Sequence, residues 1–160
     1  MGILSSIFGI VACDRNKSSD EGPKPSSNSF FAKQITISQL EEELELLQKG
    51  KTEFDFIGIT SNGVDCVYFS KANEKFNIEF EAMTEAQIPF IEKLKEYANS
   101  KGLQYSMTTY GNKPQYESVK NAPVIHIETK TNLLETAKIG REIEQVIFGN
   151  NNETKYDVVP

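Results

Sequence analysis

The chain has 160 residues, with 17 Lys plus Arg against 23 Asp plus Glu and a formal charge of −6. That balance repels phosphate backbones and anionic bilayers, which removes nucleic acid from the expected partners. Once about the first 30 residues are set aside as arm and linker, one ordinary domain remains, with no room for a second and no need of metal or disulfide staples.

Met1 to Ala12 carry almost no charge and lead into Cys13. Ile10-Val11-Ala12-Cys13 has the form of a bacterial lipoprotein signal, with Cys13 as the lipidated residue. However, no Lys or Arg precedes the cysteine, whereas a secretory n-region is basic. Gly2 and Ser6 also satisfy the myristoylation pattern. Ile3, Leu4, Ile7, Phe8 and Val11 follow the spacing of a short amphipathic helix. The missing basic residues favour this last reading: residues 1–13 are an apolar arm on a cytoplasmic protein, and membrane anchoring through Cys13 is the alternative. A transmembrane helix is not expected, because spanning a bilayer takes roughly 20 apolar residues.

Residues 14–34 are rich in Ser, Asn, Lys, Asp, Gly and Pro and predict a flexible linker. A single α+β domain is expected over 35–160. Ser38-Gln39-Leu40-Glu41 has the capping-box form and predicts a helix start, with Leu40, Leu44 and Leu47 buried and Gly50 as its stop. Three strands follow: Glu53 to Thr60, Val64 to Ser70 and Lys75 to Met83. Asn62-Gly63 predicts a tight hairpin between the first two. Phe54 and Phe56 alternate with Ile57 and Ile59, so this strand offers apolar side chains on both faces.

Thr84-Glu85-Ala86-Gln87 repeats the capping-box form, but a helix beginning there would place Pro89 one turn inside it; a start nearer Pro89 removes the conflict. Ile91, Leu94, Tyr97 and Ala98 form the inward stripe of that second helix. A strand from Leu103 to Tyr110, an irregular connection from Gly111 to Pro123 and a strand from Val124 to Glu128 come next. Asn132-Leu133-Leu134-Glu135 opens a last helix, buried through Ala137, Gly140, Ile143 and Ile147. Tyr156, Val158 and Val159 would add a short edge strand or pack over that helix. The expectation is an antiparallel sheet of about five strands with helices packed on it, in the order α-β-β-β-α-β-β-α.

Chemistry-bearing motifs are absent. There is no phosphate-binding glycine loop, no G-x-S-x-G elbow and no C-x-x-C pair. Cys66 reads as a small interior hydrophobe. His126 is the one histidine of the chain; it shares a strand face with Val124 and Glu128 and is expected to be hydrogen-bonded or partly exposed. No metal site and no cofactor is expected. Tyr105, Tyr110, Lys113 and Tyr116 gather around the Tyr110 to Ala122 connection, and tyrosine suits interfaces by its large area and polar tip. These four are the candidate binding residues.

The element order and acidity over Ser38 to Gly149 resemble those of the small acidic chaperones of bacterial type III secretion, without a diagnostic motif. The resemblance implies protein binding. The expected function is a non-enzymatic protein-interaction or chaperone-like module with a protein partner; a homodimer is compatible with it. The alternatives are a lipid-anchored envelope protein and a small-ligand or hydrolytic domain using His126.

Overall fold

Period-two alternation builds the centre of the sheet. In β4 (Lys75–Glu81), Phe76, Ile78 and Phe80 are buried while Asn77, Glu79 and Glu81 are half-buried, so one face is packed and the other meets solvent. The computed structural model describes residues 33–73, 75–111 and 119–159, all within a compact unit spanning Phe31–Pro160. The arm with Cys13 lies outside the described residues, as do Lys113 and Tyr116 and the expected linker up to residue 32.

The described strands are β1 (Gln34–Thr36), β2 (Phe56–Thr60), β3 (Val67–Ala72), β4, β5 (Gln104–Thr109), β6 (Pro123–Glu128) and β7 (Lys155–Val159). They form one sheet in the order β1-β7-β2-β3-β4-β6-β5, with every neighbour antiparallel. The α+β class is as expected, but the sheet has seven described strands rather than five. β1 was not foreseen because it is too short for its own pattern to stand out, and β7 was foreseen only as one of two alternatives. β1 has three residues. β7 is no edge strand: it lies between β1 and β2, with Tyr156 opposite Ile35 and Val158 opposite Ile59. In the chain between β1 and β7, the order of helices and strands is the expected α-β-β-β-α-β-β-α.

Three described helices cover one face: α1 (Leu40–Gln48), α2 (Ile88–Ser100) and α3 (Leu133–Glu142), the last running on through a π-helical turn at Ile143–Ile147. The predicted stripes Leu40, Leu44, Leu47 and Ile91, Leu94, Tyr97, Ala98 are buried. They join Ile57, Ile59, Phe69, Phe76, Ile78, Phe80, Ile125 and Ile127 of the sheet in a single core. Gly50 and Gly102 end α1 and α2 at φ of 64° and 66°, where a Cβ would be strained.

One cap falls earlier than predicted. The Thr36 amide donates to Gln39 Oε1 (3.0 Å) ahead of a 3-10 turn at Ile37–Gln39, and Ser38 instead shares a hydroxyl contact with Thr36. The predicted Thr84–Gln87 pair does form, the Thr84 amide donating to Gln87 Oε1 (3.0 Å). α2 then starts at Ile88 with Pro89 in its first turn, where proline is tolerated. At α3 the predicted cap forms: Asn132 accepts from the Glu135 amide at 3.0 Å.

The predicted tight hairpin at Asn62-Gly63 does not form. β2 ends at Thr60 and β3 begins at Val67, and the intervening chain wraps around the carboxylate of Asp65. That carboxylate accepts from Thr60 Oγ1 (2.8 Å), the Ser61 amide (2.9 Å) and hydroxyl, and the Asn62 amide (3.2 Å).

Where α3 crosses the sheet, Gly140 permits close approach. A Cβ there would meet Phe69 Cζ at 2.7 Å and Leu40 Cδ2 at 2.8 Å. Gly140→Ala is expected to lower stability by up to about 2 kcal/mol: overpacking costs about 1–3 kcal/mol, against a gain of about 1 kcal/mol in helix propensity. Chemical denaturation measures the balance, and a more stable variant would mean that α3 has room to move away.

Candidate functional site

On the face away from the helices, β3 and β4 set side chains of opposite character side by side. Phe56 of β2 and Tyr68 of β3 meet edge to face, ring centres 6.1 Å apart and planes at 72°. Phe54 stacks on Phe56 at 5.5 Å. Tyr68 is held over β2 because its Cα partner is Gly58: a Cβ at position 58 would meet Tyr68 Cε1 at 2.8 Å, so the glycine gives the ring a seat. Phe54 and Phe56 remain 47% and 37% exposed. These two phenylalanines account for the second apolar face foreseen for this strand, while Ile57 and Ile59 belong to the core.

Beside the rings lies a cleft of about 310 Å³ lined by Phe56, Tyr68, Ser70, Glu79, Glu81 and Tyr110. The Tyr110 amide donates a hydrogen bond to the Ala122 carbonyl (2.8 Å), which extends the β5–β6 ladder by one step. Glu79 and Glu81 stand two residues apart on β4 and therefore share a face. Burial raises the Glu81 carboxyl above its ordinary value, and the Glu79 charge adds to the effect; His126 pulls the other way.

A polar row runs diagonally across four strands. Ser70 Oγ donates to Glu79 Oε1 at 2.7 Å, Glu79 Oε2 lies 3.4 Å from His126 Nδ1, and His126 Nε2 lies 2.8 Å from Thr108 Oγ1. His126 is thus hydrogen-bonded and about one-third exposed, on the strand face foreseen for it. It sits on an open sheet rather than at the bottom of a cleft.

Cys66 lies just before β3, half-buried rather than interior. Burial pushes its thiol up to about 11, with Asp65, Glu81 and Glu144 adding to the rise against the lowering contact of Tyr68. A thiol held that high is a poor nucleophile at neutral pH. Among the described residues, no three His, Cys, Asp or Glu side chains gather as a metal-binding group, and no helix is long and apolar enough to cross a membrane.

Of the four predicted binding residues, the structure describes two and separates them. Tyr105 is partly buried against the core, opposite Ile127 on the helix-covered face. Tyr110, five residues on, lines the cleft. Phe56, Tyr68, Ser70, Glu79 and Glu81 were not foreseen as a group. The two-sided apolar pattern at Phe54 to Ile59 was the available signal, but cross-strand neighbours brought the rest together. Comparison of the chain with family models, curated proteins and solved structures finds no match.

Proposed function

We propose that the chain is a non-enzymatic interaction module that takes a protein partner on the open face of its sheet. The observation that carries this reading is the stacked, exposed pair Phe54 and Phe56, continuous through Phe56 with the aromatic wall of the cleft. Large apolar side chains left in water beside a half-polar cleft are the pattern of a contact surface, where a few aromatic anchors supply most of the binding energy. Neither ring is needed to complete the core, which lies on the opposite face.

The test compares proteins captured from the native cell by the wild-type chain and by the Phe54→Ala/Phe56→Ala double variant. Circular dichroism would establish that the variant is folded. A partner bound by the wild type and at least ~10-fold depleted by the variant is expected. Equal recovery on both would overturn the reading.

A hydrolytic reading has one observation of its own, the hydroxyl–imidazole–carboxylate order of Thr108, His126 and Glu79. It ranks second because the Thr108 hydroxyl stands on an exposed strand and Glu79 is already engaged by Ser70. Turnover of a nitrophenyl ester that disappears in His126→Ala would reverse the ranking.

A further inference from the structure

The chemistry of the cleft selects its occupant. Resting on the binding face proposed above, we infer that the cleft receives a lysine or arginine side chain from a basic segment of the protein partner. Phe56 and Tyr68 form two walls nearly at right angles, and Tyr110 supplies a third ring. A cation is attracted to the negative face of each ring. The carboxylates of Glu79 and Glu81 open into the same space.

The charges of the cleft are unbalanced in the free protein. Ser70 contributes a neutral hydroxyl to Glu79, and His126, whose Nδ1 lies 3.4 Å from Glu79 Oε2, is the one basic group acting on both carboxylates among the described residues. Four lysines of the described surface are paired elsewhere: Lys33 with Glu43, Lys49 with Glu45, Lys95 with Glu92 and Lys101 with Glu142. An incoming ammonium or guanidinium would therefore bring a permanent cation to two carboxylates that share one imidazole. A carboxylate or phosphate would meet two like charges.

Size points the same way, since about 310 Å³ lies at the small end of ligand sites and suits one side chain better than a cofactor. The rings accept the aliphatic stem of Lys or Arg while the carboxylates take its head. The formal charge of −6 on the whole chain draws a basic segment toward this surface before contact.

Nuclear magnetic resonance titration of the full chain tests the assignment. The probes are capped Gly/Ser pentapeptides whose central residue is arginine, lysine or norleucine. The arginine and lysine peptides are expected to shift the amides of Gly58, Tyr68 and Glu81 and to bind about tenfold more tightly than the norleucine peptide. That advantage should shrink severalfold in Glu79→Gln/Glu81→Gln and on raising the salt. Equal affinity for norleucine, an unchanged advantage in the double variant, or no shift with any peptide would overturn it. Partner capture that needs Phe54 and Phe56 but is indifferent to Glu79→Gln/Glu81→Gln would leave the binding face standing and remove the cation. Capture indifferent to both pairs would remove the face as well.

Discussion

Asp65→Ala is expected to destabilise the protein by about 3–5 kcal/mol, read as a lower urea midpoint at unchanged slope. The side chain is 1% exposed, yet it organises the whole β2–β3 connection. Its two oxygens accept from the Ser61 and Asn62 amides, the Thr60 and Ser61 hydroxyls, and Asn150 Nδ2 at 2.8 Å. Burial works to raise its pKa, but the bonds from Ser61, Thr60 and Asn150 outweigh it and hold the carboxyl below the ordinary value. Alanine would strand these donors in a place that water reaches poorly. Asp65→Asn keeps one acceptor and should fall between the two. Linkage gives a second check. A depressed carboxyl stabilises the fold above its ordinary value and loses that contribution as pH falls through the folded one, so the wild type should weaken in acid more than Asp65→Ala does. A loss under about 1 kcal/mol would mean that the connection holds itself without the carboxylate.

Glu144→Gln should act in the opposite direction, and only away from acid. Glu144 is fully buried in the π-helical turn after α3. Burial pushes its carboxyl up to about 8, the nearby Asp65 charge adds to the rise, and the bond from Asn150 opposes it. With the folded value above the unfolded one, the native state holds the extra proton. Stability is therefore greatest below the ordinary value near 4.5 and declines as pH rises toward 8. Glutamine never ionises. Its amide oxygen can accept from Asn150 Nδ2, which now donates to Glu144 Oε2 at 2.9 Å. Its amino group would face the Tyr156 hydroxyl, and that hydroxyl and Glu144 Oε1 are both buried without a hydrogen-bond partner. The variant should match the wild type near pH 5 and exceed it by on the order of 2–4 kcal/mol at pH 8. Urea midpoints at pH 5, 6.5 and 8 decide this, and a gap that stays constant with pH would show that Glu144 is ionised throughout.

Asp65 and Glu144 also show where sequence reading ends. Asn150 bridges them from 85 and 6 residues away, and nothing local distinguishes Asp65 from any other turn aspartate. A carboxylate becomes a hub only when a distant strand and helix end close over it. The same holds for the cleft: Phe56, Tyr68 and Glu79 become neighbours through strand register, with Gly58 opposite Tyr68 and Tyr68 opposite Glu79.

What the sequence alone determined is local. The alternation of Phe76, Ile78 and Phe80 made a half-buried strand, the stripe from Ile91 to Ala98 made a helix with one buried face, and Asn132 marked where α3 begins. Each of these follows from the repeat of a single element and its end groups, which neighbouring residues specify. Tertiary structure alone decided that β7 enters beside β2 and that rings and carboxylates share one cleft. Those outcomes depend on pairing between segments far apart in the chain, where the burial available to the whole sheet outweighs any preference written into three or five residues.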